Sequence, residues 1–298
     1  MYMALNRLLL YLFAGLSGVA ACASCGKQEP SGASSREVFF RLAEAPLFVE
    51  TGTKASVVTE ENLSSFYVSA TNGAAGSETQ VWNSVLFSDG GSGLFMAGDG
   101  GKFWPIEDAG WHFFASNVPL GFDASGCYVQ AETDTDVVCA MLDEPGFQQV
   151  NTLVFSHVLS RVGSVTVTAE EGYTVSNISV RVVPRTSGTL NLRTGAWGSI
   201  GYSAAQTLSG TVPGTRENDL FVIPGEYILL VSWRASMGSY QEDFVDMPAE
   251  VTFSPGVVSS LSMELGGSGR LLGVTVTVLP WDSHELADPN GKEGGYWV

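Results

Sequence analysis

The run Gly273-Val-Thr-Val-Thr-Val-Leu279 alternates β-branched apolar residues with polar ones. A period of two marks a strand with one face buried and the other wet. Short strand-like runs recur along the chain. They are Glu37–Leu42, Ser65–Ala70, Val81–Phe87, Leu94–Met96, Trp111–Ala115, Cys127–Ala131, Asp136–Ala140, Thr152–His157, Ser164–Thr168, Tyr173–Val183, Tyr227–Trp233, Val251–Phe253 and Val257–Leu265. Turn signals such as Asp89-Gly-Gly-Ser-Gly93 and Gly98-Asp-Gly-Gly101 separate them. Only Thr59–Leu63, with Thr59 as cap, reads as a single helical turn. No long amphipathic helix follows the N-terminal run. Many short strands with turns between them predict an all-β fold of sandwiches.

The composition fits that expectation. Only 15% of residues are charged, 45% are hydrophobic, and 35 are glycine. This is enough apolar material for a real core and too little charge for long solvated helices. The formal net charge of −17 argues against nucleic acid and against an anionic lipid surface, which attract basic patches. A length of 298 residues leaves room for two domains. The turn Glu144-Pro-Gly146 divides residues 36–146, a first sandwich, from residues 147–298, a second sandwich with a polar tail.

Residues 1–21 read as an export signal. Arg7 precedes the apolar run Leu8–Val19, too short to span a bilayer. The run closes on Val19-Ala-Ala-Cys22, an aliphatic residue and two small residues before a cysteine, as in a bacterial lipobox. Cys22 is then the lipidated residue, and its acyl chains hold the protein on a membrane. With Ala23 next, the expected destination is the outer membrane. The alternative is an ordinary secretory signal cut near Ala21 or Ala23. Residues 22–35 are small and polar with Pro and Gly, and read as a flexible tether.

Catalytic patterns are missing. His112, His157 and His284 lie in separate segments, with no H-E-x-x-H motif. Gly90-Gly-Ser-Gly-Leu94 lacks the last glycine of a nucleophile elbow. Gly98–Lys102 fails the phosphate-loop spacing at Met96 and Phe103. Glu132, Asp134 and Asp136 are spaced like calcium ligands, but Val137 and Asp143 break the EF-hand pattern. The expectation is no enzyme, no cofactor and no metal. The segments Phe103-Trp-Pro105 and Trp111–Phe114 could offer sugar-stacking faces, although alternate aromatics of a sandwich strand usually fill the core. Cys127 and Cys139 flank a polar turn; they can form a disulfide or stay as two buried thiols.

A succession of pieces then resembles the fimbrillin family of lipoprotein pilus subunits. They are the lipobox and tether, Thr53-Lys-Ala55, Asn62–Ala70, Trp104-Pro105, Trp111–Pro119, Asp136-Val-Val-Cys-Ala140, Val150–Val162 and Val274–Trp281. Asp136–Ala140 departs from the family pattern conservatively, with valines where leucines and an aromatic are typical. The resemblance implies two tandem transthyretin-like β-sandwiches. It also implies a structural subunit of adhesive fimbriae, assembled when a trypsin-like protease releases the first strand and a strand from the next subunit replaces it. Mapped here, Val38, Phe39, Phe40 and Leu42 are the removable strand. Lys54 is the first choice for the cut, Arg41 the second and Arg36 the third. The implied partners are other fimbrial subunits, the outer membrane through the lipid, and ligands on host or bacterial surfaces. The alternative function is a surface glycan-binding lipoprotein using Trp-bearing loops. The tail ending in Tyr296-Trp-Val298 is either a docking strand or a loose end, because Pro289 and the glycines make much of it a poor strand.

Overall fold

The computed structural model describes residues 37–43, 58, 62–74, 77–98, 100–104, 110–143, 145, 150–208, 215–267 and 271–280. Among them every regular element is a strand, and there is no helix. The signal, the tether and residues 59–61 of the expected helical turn lie outside this set; Asn62 and Leu63, the last two residues of that turn, are not helical.

The strands of the first half are β1 (Phe39–Leu42), β2 (Ser65–Asn72), β3 (Thr79–Asp89), β4 (Phe95–Ala97), β5 (Trp111–Ser116), β6 (Leu120–Asp123), β7 (Gly126–Glu132) and β8 (Val138–Asp143). Those that follow are β9 (Val150–Leu153), β10 (Ser156–His157), β11 (Ser160–Ala169), β12 (Thr174–Val182), β13 (Arg185–Asn191) and β14 (Trp197–Tyr202). The last six are β15 (Gln206–Thr207), β16 (Thr215–Val222), β17 (Gly225–Met237), β18 (Tyr240–Phe253), β19 (Val257–Leu265) and β20 (Leu271–Pro280).

Eight strands join in one sheet in the order β10-β8-β5-β2-β3-β4-β1-β9. Its middle is buried on both faces, which explains why all six residues of β5, Trp111-His-Phe-Phe-Ala-Ser116, are buried. On one face Phe40, Phe66, Phe87, Phe95 and Phe113 pack with Trp82, Trp104 and Trp111. On the other, Phe114 and Cys139 meet Cys127, Val129 and Ala131 of a four-stranded sheet ordered β14-β13-β7-β6. That smaller sheet is shared between the two halves of the chain: β13 pairs with β7, with Leu190 opposite Val129. Leu159, Phe221 and Ile223 of the second half join the same core.

The remaining strands make a second sandwich. Sheets β16-β11-β19-β20 and β15-β12-β17-β18 enclose Val165, Val180, Val231, Trp233, Phe253, Leu261 and Met263. The period of two is visible in β17, where Tyr227, Leu229, Val231, Trp233 and Ala235 are buried in turn. Trp233 donates its indole N–H to the Gly266 carbonyl at 2.9 Å, so its polar edge is satisfied inside the core. The β17–β18 turn needs a left-handed residue, and Gly238 sits there with φ of 62°.

Bulges adjust the pleat. In β3, Ser84 takes a φ of 47° where the register against β2 slips. The Ser69 hydroxyl accepts from Ser84 N–H at 2.9 Å, and the Ser84 hydroxyl accepts from Leu120 N–H at 2.9 Å. The bulge is thereby stitched to β2 beside it and to β6 of the smaller sheet.

Candidate assembly site

The seat of β1 is the feature that sets this chain apart from a closed sandwich. Only four residues long, β1 lies inside the eight-stranded sheet, between β4 and β9. It runs parallel to β9 from Phe39↔Val150 to Leu42↔Leu153, and meets β4 antiparallel at Phe40↔Phe95. Backbone bonds tie its ends, Val38 N–H to the Lys102 carbonyl at 2.7 Å and Ala43 N–H to the Leu153 carbonyl at 2.8 Å.

The sequence alternates so that Val38, Phe40 and Leu42 enter the core while Arg41 turns to solvent. Phe40 is fully enclosed. Its ring stands edge-on to Phe87 at 5.0 Å, Phe113 at 5.4 Å and Phe66 at 6.2 Å between centroids. Phe39 faces the opposite side and is also buried. Removing this strand would uncover the Phe66, Phe87 and Phe113 rings and leave backbone donors and acceptors of β4 and β9 without partners. Of the expected cleavage residues, Arg41 is exposed on β1 itself. Arg36 and Lys54 lie outside the described residues, as does Cys22.

Val58, four residues past Lys54 in sequence, donates its N–H to Asp136 Oδ2 at 2.8 Å. Asp136 is buried and paired with His157 Nδ1 at 3.0 Å from Oδ1 and 2.9 Å from Oδ2. His157 is therefore a packed core residue bonded to a carboxylate. The carboxylates once aligned as calcium ligands diverge: Glu132 and Asp134 are exposed while Asp136 points inward. No group of three or more His, Cys, Asp or Glu converges on a metal position among the described residues.

Trp104 and Trp111 are core residues, 3% and 4% exposed, with Trp104 edge-on and Trp111 tilted against Phe113. The glycan-binding alternative therefore loses the Trp faces it relied on; burial of both rings is the physical reason. Cys127 and Cys139 are free thiols within one core. Burial pushes both up to about 12, against hydrogen bonds from Ser69 and Ser116 that pull the other way.

A second polar cluster was not legible in sequence. Arg193, in the β13–β14 turn, pairs through Nε with Glu78 at 2.7 Å and through Nη1 with Asp143 at 3.1 Å. Its guanidinium lies over the Phe114 ring at 5.3 Å. Asp143 also meets His112 Nδ1 at 2.7 Å, and His112 Nε2 lies 3.0 Å from the Gly73 carbonyl. The cluster fastens the second-half hairpin to the first-half sheet beside an open cavity of about 440 Å³.

Comparison with known proteins agrees with this architecture. The model of a family described as Fimbrillin-like matches residues 53–281. Among solved structures, a fimbrial protein from Bacteroides vulgatus superposes with a TM-score of 0.53 at 12% identity, covering 83% of this chain and 99% of the other. A candidate cell adhesion protein from Parabacteroides distasonis gives 0.52 at 9% identity, covering 83% and 97%. At such identities these two show a shared fold. No curated protein matches the sequence.

Proposed function

The chain belongs to the fimbrillin-like family, and from that premise we propose that it is a structural subunit of cell-surface fimbriae acting in adhesion. It is exported as a lipoprotein, acylated at Cys22 and held on the outer membrane. A protease cut after Lys54 then frees the segment bearing β1. An extended strand from the next subunit fills the vacated place, adding backbone bonds to β4 and β9 and apolar side chains to the core.

The observation that carries this reading is the seat of β1: a short strand inserted between two others, with Val38 and Phe40 in the core. Lys54 suits the cut better than Arg41. A cut at Arg41 divides the strand and leaves Leu42 behind, whereas a cut at Lys54 leaves β1 whole. Cys127 and Cys139 share one core as free thiols; a disulfide between them would join the two sheets of the first sandwich, and intact mass decides their state.

The test is mild trypsin digestion of the mature chain, followed by intact mass and size-exclusion chromatography. Cleavage after Lys54 followed by a ladder of oligomers is expected. Resistance at Lys54, or a cut product that stays monomeric, would overturn strand exchange.

A further inference from the structure

Asp136 is the buried charged group that nothing above employs. Its side chain has no solvent exposure. A carboxylate removed from water is costly unless bonded, so its partners indicate what it is for. One is His157 on β10 and the other is the Val58 N–H, 78 residues away in sequence. Asn117 fixes the backbone beneath: its side-chain NH₂ donates to the Asp136 carbonyl at 2.8 Å and its oxygen accepts from Val138 N–H at 2.9 Å. Val158 N–H donates to the Val137 carbonyl at 3.0 Å, closing the knot. Val58 itself packs against the first core.

We infer that Asp136, seated by His157 and Asn117, is the anchor that keeps the chain just past the cut on the body of the subunit. The inference rests on the strand-release reading and adds its boundary. Val58 lies four residues beyond Lys54, a reach of at most about 14 Å. A cut after Lys54 puts β1 on the departing piece and Val58 on the retained piece. With the anchor made, the place between β4 and β9 empties while the new N-terminus stays held. Without it, the new N-terminus would be free to lift Val58 off the body, opening more of the core than the place of β1 alone. Asp136 is thus a positioning residue, acting through Val58.

The test is amide exchange by mass spectrometry on the uncut mature chain. In Asp136→Ala the peptide containing Val58 should exchange at least about tenfold faster than in wild type, the scale of a lost charge-assisted bond. The β17–β18 hairpin should be unchanged. Asp136→Asn keeps an acceptor oxygen and should stay close to wild type. If Asp136→Ala does not fold, His157→Gln supplies the same comparison, with faster exchange at Val58 than at β17–β18. Wild-type exchange at Val58, or equal acceleration everywhere, overturns the anchor. The strand-release reading fails separately: β1 remains bound after the cut while Val58 stays protected.

Discussion

Phe40→Ala perturbs the proposed exchange at its centre. The ring is fully enclosed and touches three other phenylalanine rings. Truncating a phenylalanine in such a site costs about 3–5 kcal/mol. The hold on β1 is small enough for this to matter. Burial of Val38, Phe39 and Phe40 contributes about 1.5–3 kcal/mol each, about 5–9 kcal/mol together. Ordering Glu37 to Leu42 costs about 1–2 kcal/mol per residue, about 6–12 kcal/mol in all. The two nearly cancel, so the strand stays mainly because the chain ties it in place. In the uncut protein, Phe40→Ala should lower the urea unfolding free energy by about 3–5 kcal/mol, whereas Arg41→Ala, altering an exposed side chain, should stay within about 0.5 kcal/mol. After trypsin, the variant should lose its β1 fragment faster than wild type. An unchanged urea midpoint for Phe40→Ala would refute the idea that β1 completes the core.

Other outcomes follow from the same geometry. Lys54→Gln should block the first tryptic cut and the oligomer ladder together, read by intact mass and size-exclusion. Trp104→Ala should cost about 3–5 kcal/mol on thermal or urea unfolding, because the ring is core; loss of glycan binding with full stability would contradict its placement. Arg193→Ala leaves the buried Glu78 carboxylate without that ion pair and should destabilise by about 1–3 kcal/mol in the same assay. Both thiols are protonated inside the fold and raised from about 9 to about 12. Their contribution is full below about pH 9 and is lost as pH rises toward 12, because the unfolded chain ionises first. Native protein should also resist a thiol reagent at Cys127 and Cys139 until denaturant is added, which peptide mapping resolves.

The all-β reading came from period-two runs, and most of those strands appear close to where the alternation places them; Thr152–His157, read as one run, divides into β9 and β10 at opposite ends of the large sheet. β17 and β19 are plain in the sequence because burial on one face imposes the alternation, and β5 reads as a near-continuous apolar run because both its faces are covered. Others carry no such mark. β16 spans Arg216-Glu-Asn-Asp219, and β13 holds Gly188, where a Cβ would lie 3.1 Å from Ile200 and Trp197. There a missing side chain makes room for packing, which alternation of apolar residues does not register. β18 runs far upstream of Val251 through Pro248 and several acids, tolerable because it lies at the sheet edge. The pairing of β13 with β7, which joins the halves, is long-range and has no local signal. The first strand was legible as Val-Phe-Phe-Arg-Leu, and its insertion between β4 and β9 gives that reading its structural content. In sequence Asp136 is only one of three acids spaced like calcium ligands; its role depends on Val58 and His157, which only folding brings to it.

The central claim is that the place of β1 changes hands. Native mass spectrometry of every species in a trypsin digest of the mature chain tests it directly. Strand exchange predicts monomers that retain the fragment ending at Lys54 and oligomers that have lost it, one fragment for each subunit interface formed. Oligomers that keep the fragment in every subunit would contradict it.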